Sequence, residues 1–169
     1  MFCLTTGYMS HAQRKKGIKL IPQNLGEFYN TLPFTPTDAQ LNAAEQIHVG
    51  LGLCDILKIA DNEIEFMTGE TDFDKGAAIL QEQYPNIKIL NVTAGAEGSY
   101  SYSCGYKVFV PGFKLGGTIE TTGAGDTFGG CVLHYICEHE LEGLTDDSLE
   151  EMLSFANAAA ALITTKKGA

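Results

Sequence analysis

The chain has 169 residues, 44% of them hydrophobic, and its 11 basic and 21 acidic side chains give a formal net charge of −10. That charge repels phosphate backbones and leaves no basic patch, which argues against nucleic acid as a partner. No apolar run approaches the ~18 residues a membrane-spanning helix needs, and the N-terminus lacks the charged-then-apolar pattern of a signal peptide, so a soluble, cytoplasmic chain with no membrane partner is expected.

In chain order, a helix is predicted through Gln13, then a strand at Ile18 to Ile21. Thr37 and Gln40 have the spacing of a capping box and open a helix to about Leu51, and a strand at Asp55 to Ile59 follows. A short helix ending at Gly69 comes next, then a helix at Asp72 to Gln83 with Gly76 as a weak spot. Ile87 to Thr93 alternates and is rich in β-branched residues, which predicts a buried strand that ends in the turn Thr93-Ala94-Gly95-Ala96-Glu97-Gly98. Strands near Tyr100 and Val108 precede a helix from Gly125 to Glu138 and a last one, capped at Thr145 with Asp146 and Asp147 in its first turn, to about Thr164. Strands alternating with helices predict an α/β fold, a parallel sheet with helices on both faces. No linker, repeat or low-complexity tract interrupts it, and residues 1 to 169 read as one domain.

The richest segment is Ile119-Glu120-Thr121-Thr122-Gly123-Ala124-Gly125-Asp126-Thr127-Phe128-Gly129-Gly130, a small-residue turn that opens into the apolar stretch Cys131 to Cys137. Gly123 and Gly125 have no side chain to block a ligand, so consecutive amides can converge on an oxyanion at the positive end of the following helix. A carboxylate there is costly if the turn only binds an anion. As a base that takes a proton from an attacking hydroxyl, Asp126 makes chemical sense. The letters fit neither a Walker loop, which needs a Gly-Lys pair, nor the dinucleotide fingerprint, which needs glycine at Phe128. The competing reading is a glycine-rich helix start that binds nothing.

Other candidates also carry two readings. Asn62 and Glu65, three apart on a short helix, share a face and could offer an amide and a carboxylate to Mg²⁺-bound water, or form an ordinary solvated face. Thr93, Gly95 and Gly98 sit at the carboxyl end of a strand, where open α/β sheets bind ligands, and the same residues would also make a hairpin turn into Ser99 to Ser103. Asn157 lies among alanines on the last helix and suits either an adenine pocket or close helix packing. Five cysteines with no Cys-x-x-Cys pair suggest reduced thiols, and the spaced set Cys131, His134 and Cys137 is read as core packing in preference to a metal site. His11 and His48 have no partner recognisable from the sequence.

Three of these segments, in this order, resemble motifs of the ribokinase-like sugar kinases, the PfkB family. They are Lys58-Ile59-Ala60-Asp61-Asn62-Glu63-Ile64-Glu65-Phe66-Met67-Thr68-Gly69, Asn91-Val92-Thr93-Ala94-Gly95-Ala96-Glu97-Gly98 and Glu120-Thr121-Thr122-Gly123-Ala124-Gly125-Asp126. A fourth match, Phe155-Ala156-Asn157-Ala158-Ala159-Ala160-Ala161, is similar to the family's adenine-side helix. The resemblance covers about residues 55 to 169. It implies a ribokinase-like parallel-sheet sandwich represented by its C-terminal part, a single partial domain that carries the nucleotide and base half, with the N-terminal sugar and lid half absent.

What the resemblance implies chemically is ATP-dependent phosphorylation of a sugar hydroxyl, with fructose as leading acceptor and ribose, 2-keto-3-deoxygluconate and nucleosides as open alternatives. Asp126 would be the base, with Gly123, Ala124 and Gly125 forming the anion hole; Thr93, Gly95, Gly98 and Asn157 would face the nucleotide, and Asn62 and Glu65 the Mg²⁺. Two departures matter. Glu120 replaces the family's first aspartate, which bears on a K⁺ site, and Pro22-Gln23-Asn24-Leu25 replaces Asp-Pro-Asn-Leu. The rival expectation is a non-catalytic remnant that binds nucleotide or pairs with a complementary half. Sugar and ATP are the expected small-molecule partners, with a homodimer or other association through an exposed sheet edge.

Overall fold

The computed structural model describes residues 2–4 (backbone only), 46–103, 105–139, 141 and 143–167. The predicted helix through Gln13, the strand at Ile18, the Thr37 and Gln40 capping box, His11 and the segment from Pro22 to Leu25 all lie outside them. Five strands form one sheet in the order β1 (Phe2–Leu4), β2 (Ile56–Ala60), β3 (Ile89–Thr93), β4 (Gly98–Ser103) and β5 (Tyr106–Pro111). Four helices accompany them: α1 (Asp61–Thr68), α2 (Phe73–Gln83), α3 (Ala124–His139) and α4 (Asp146–Ile163); residues 46–51 are also helical.

Among the described strands only β2 and β3 run parallel; the β1–β2, β3–β4 and β4–β5 pairs are antiparallel. The mixed sheet follows from connection length. A parallel pair needs a crossover, which α1 and α2 supply between β2 and β3, whereas the three-residue 3₁₀ turn Gly95–Glu97 can only reverse the chain.

Alternation along β2 and β3 explains the two cores. Leu57, Ile59, Leu90 and Val92 face α1 and α2 and pack with Ile64, Ala77 and Leu80. Ile56 and Ile89, one residue out of phase, face α3 and α4 and pack with Phe128, Val132, Leu149, Met152 and Leu153. Helices thus cover both faces of the sheet, and each such aliphatic side chain fully removed from water contributes about 1.5–3 kcal/mol.

Local chemistry sets the helix ends. The Asp72 carboxylate accepts from the Asp74 and Lys75 amides at 2.9 and 3.1 Å and starts α2. The Thr145 hydroxyl accepts from the Ser148 amide at 3.3 Å, while the Ser148 hydroxyl returns to the Thr145 amide at 2.7 Å. Gly76, out of place by helix propensity, has a packing reason: a Cβ there would lie 2.9 Å from the Ile64 side chain, so its absence lets α1 and α2 meet.

Candidate active site

Because β2 and β3 are parallel and in register, with Ala60 beside Thr93, their carboxyl ends form one edge. Such an edge is where α/β sheets gather ligand loops. α1 leaves it after β2, and the turn to β4 leaves it after β3. The first turn of α3 reaches the same side of β2, since a Cβ on Gly125 would stand 3.0 Å from Lys58 Nζ.

On α1, Ile64 is buried while Asn62 and Glu65 are exposed together, so the amide and carboxylate do share an outward face. The backbone N–H of Asn62 donates to Asp61 Oδ1 at 2.8 Å. Glu63, between them, turns back to accept from the Ala60 amide at 2.7 Å. Burial works against the charge on Glu63, yet its carboxyl sits below the ordinary range, with the Ala60 hydrogen bond among the interactions that outweigh the burial.

At the end of β3, the Thr93 hydroxyl donates to Ile59 O at 3.4 Å and ties the two parallel strands together. Among the described residues nothing lies within 4 Å of a notional Cβ on Gly95. Gly98 is different. It holds φ +130°, and a Cβ there would strike Val110 O at 2.2 Å, so this glycine serves the close approach of β4 to β5.

The anion turn is pinned at its start, where the Ile119 and Glu120 amides both donate to Thr164 O, at 2.8 and 3.1 Å. Gly123 takes φ 80° to turn the chain into α3. The Ala124 amide is drawn onto Thr121 O at 3.2 Å and closes the turn, and Thr127 donates to Gly123 O at 2.8 Å. Among the described residues the amides of Gly125 and Asp126 find no backbone acceptor, as expected in a first helical turn. Asp126 itself is exposed, and its carboxylate has no hydrogen-bond or ion-pair partner among the described residues.

Asn157 stands on α4. It is buried, with Oδ1 accepting from the Ser99 hydroxyl at 2.9 Å and Nδ2 donating to Val110 O at 3.0 Å. Of the two roles left open from the sequence, packing is the one that these hydrogen bonds serve.

Sequence reasoning passed over Lys58, Glu63 and Asn91. Their signals were present: a lone charge in the strand Ile56-Leu57-Lys58-Ile59, a glutamate three residues past the helix cap, and an asparagine in an apolar strand. His48 gains a partner that the sequence did not reveal, with its Nδ1 hydrogen-bonded to the Tyr84 hydroxyl. His134 lies 3.6 Å from Glu138, Cys137 is exposed, and burial raises the Cys131 thiol. Among the described residues no three His, Cys, Asp or Glu side chains gather to hold a metal. A divalent cation at this edge would draw further oxygens from bound phosphate and water, which is the habit of Mg²⁺.

An α/β sheet thus carries, at its carboxyl edge, a helix N-terminus and a carboxylate without a partner among the described residues. The family model described as pfkB family carbohydrate kinase matches residues 18–169, and the chain belongs to that family. Over 138 residues it is 37% identical to Fructokinase-2 of Solanum habrochaites, an alignment that covers 82% of this chain and 41% of that protein. Its fold is ribokinase-like. The fructokinase of Vibrio cholerae O395, solved with fructose, ADP and calcium ion, superposes with TM-score 0.65 at 26% identity, over 78% of this chain and 41% of that one. The Arabidopsis thaliana ribokinase solved with ribose and ATP gives TM-score 0.60 at 28% identity, over 72% and 38%. The chain therefore spans less than half the length of these relatives. No described helix is long and apolar enough to cross a membrane.

Proposed function

We propose that the chain supplies the nucleotide and base half of an ATP-dependent sugar kinase, with fructose as acceptor. The observation that carries this reading is the exposed Asp126 carboxylate in the first turn of α3, without a partner among the described residues, beside the Gly125 and Asp126 amides, which find no backbone acceptor there either. An acceptor hydroxyl held there would lose its proton to Asp126 as it attacks the terminal phosphorus of ATP in line. The loop amides would meet the charge that builds on the transferring group, with Ala124 and Gly123 shaping the turn. The Thr93 and Gly95 end of β3 would face the nucleotide phosphates, Gly98 would keep that turn in place, and Asn157 would fix α4 beneath the base side.

Mg²⁺ would be held near the phosphates through water on Asn62 and Glu65, where it would neutralise phosphate charge. Glu120, one methylene longer than aspartate, would alter any K⁺ site beside the loop. Two copies would associate through β5, the edge of the sheet among the described strands, which exposes Tyr106 and Phe109. The fructokinases among the relatives support the acceptor, and the ADP-bound and ATP-bound neighbours support the nucleotide. Reduced thiols and the ribokinase-like fold accord with a cytoplasmic site.

Calorimetric titration of the chain with Mg·ATP tests the nucleotide site; no heat at millimolar ATP from a chain shown to be folded by circular dichroism would remove it. Adding the N-terminal part of a fructokinase and fructose then tests catalysis by ADP release. Nucleotide binding without sugar-dependent ADP release would favour the non-catalytic alternative.

A further inference from the structure

β2 is apolar except for Lys58, which shares a face with Ile56, the face covered by α3 and α4. Its ammonium reaches the anion turn. A Cβ on Gly125 would meet Lys58 Nζ at 3.0 Å and Cε at 3.8 Å, and Gly125 is not among the positive-φ glycines, so space rather than backbone conformation suits glycine to this position.

A cation at the positive end of a helix is misplaced unless an anion joins them. Among the described residues no carboxylate lies within ion-pair distance of Lys58; the ion pairs present are Lys88 with Asp55, Lys107 with Asp74 and His134 with Glu138. Against the burial that raises it, the Glu63 carboxyl is lowered by its hydrogen bond from the Ala60 amide and, beyond ion-pair distance, by the Lys58 charge. Lys58 is also the end of a polar row, in register with Asn91 on β3, which is in register with Ser101 on β4. Both are fully buried, and Asn91 Nδ2 and Oδ1 and Ser101 Oγ have no hydrogen-bond partner among the described residues. Buried polar atoms left unmatched oppose folding, and such costs concentrate where a site needs polarity.

Resting on the phosphoryl-transfer reading above, we infer that Lys58 is a further residue of that site, its ammonium contacting the terminal phosphate oxygens of a nucleotide seated on the Gly125 and Asp126 amides. The lysine acts as a point charge that draws the most highly charged nucleotide to the turn and opposes the charge developing during transfer. Gly125 leaves the room this requires.

The test compares Mg·ATP, Mg·ADP and AMP by calorimetry on the chain and its variants. Lys58→Met should weaken Mg·ATP by about tenfold or more while leaving AMP nearly unchanged, as loss of a charge-assisted phosphate contact would. Lys58→Arg should recover part of the preference. Gly125→Ala should push the ammonium aside and weaken ATP in the same direction, and combining it with Lys58→Met should add little, because both remove one contact. Equal ATP affinity in wild type and Lys58→Met, or equal loss for ATP and AMP, overturns the inference and leaves the nucleotide site standing. A folded wild-type chain that binds none of the three sinks the underlying reading as well. Should Lys58→Met fail to fold, Gly125→Ala with an unchanged ATP-to-AMP ratio overturns the inference by itself.

Discussion

The Ser99 hydroxyl and the Asn157 side chain are joined by a buried hydrogen bond of 2.9 Å across 58 positions of sequence. With the second bond from Asn157 to Val110 O at 3.0 Å, it stitches α4 to β4 and β5 at the row that also contains Thr93. Asn157→Ala should therefore lower the unfolding free energy by about 2–4 kcal/mol in urea titrations, since it leaves a buried hydroxyl and a carbonyl unmatched. Adding Ser99→Ala should cost little more. Full additivity of the two changes would show that the bond is not formed.

Two glycines should respond to different degrees. Gly98→Ala forces a side chain at φ +130° to within 2.2 Å of the Val110 carbonyl, where backbone must move, and should cost at least about 3 kcal/mol. Gly76→Ala meets side-chain rather than backbone atoms, Ile64 Cγ1 and Cδ1 at 2.9 Å and the Thr68 hydroxyl at 3.3 Å, and gains helix propensity, so it should cost less than Gly98→Ala, about 1–2 kcal/mol. Thermal unfolding of the two variants reads the difference, and similar midpoints would refute the packing account.

What the sequence made legible was local. The Thr145 cap, the end of α1 at Gly69 and the start of α2 beside Asp72 are each written in a few neighbouring residues, and each helix forms where those residues direct. The sheet was less legible, because strand-helix alternation implies parallel pairing throughout, while the short turn at Gly95 reverses the chain. Partners distant in sequence were invisible: His48 with Tyr84, Asn157 with Ser99, Lys58 beside Gly125. At the candidate site the residue types of the anion turn could be read, but not that the Ala124 amide is consumed by Thr121 while the next two find no backbone acceptor among the described residues.

The burial of His48 and Tyr84 gives stability a pH dependence at both ends. Burial lowers the His48 pKa from 6.5, so the unfolded chain binds the proton more readily; this contribution is complete above about pH 6.5 and is lost as pH falls through the lower folded value. Burial raises Tyr84 from 10.0 to about 12, so its contribution is complete below pH 10 and is lost as pH rises toward 12. His48→Gln should flatten the acid limb of a stability profile relative to wild type, and Tyr84→Phe the alkaline limb. Parallel profiles for wild type and both variants would refute these assignments.

The last prediction separates a base from a binding residue at Asp126. The carboxylate is exposed and without a partner among the described residues, so Asp126→Asn removes proton acceptance without orphaning any donor and should leave thermal stability unchanged. The neutral amide also relieves repulsion of phosphate, so Mg·ATP affinity should hold or rise slightly. Turnover behaves otherwise. In the chain complemented by the N-terminal part of a fructokinase, ADP release with fructose should fall by at least ~10²-fold, the scale of losing a positioned base. The loss should appear in kcat with KM for ATP nearly constant, because the base acts on the acceptor only as the phosphoryl group moves. A drop confined to KM would recast Asp126 as a binding residue, and undiminished turnover would move the base elsewhere in the site.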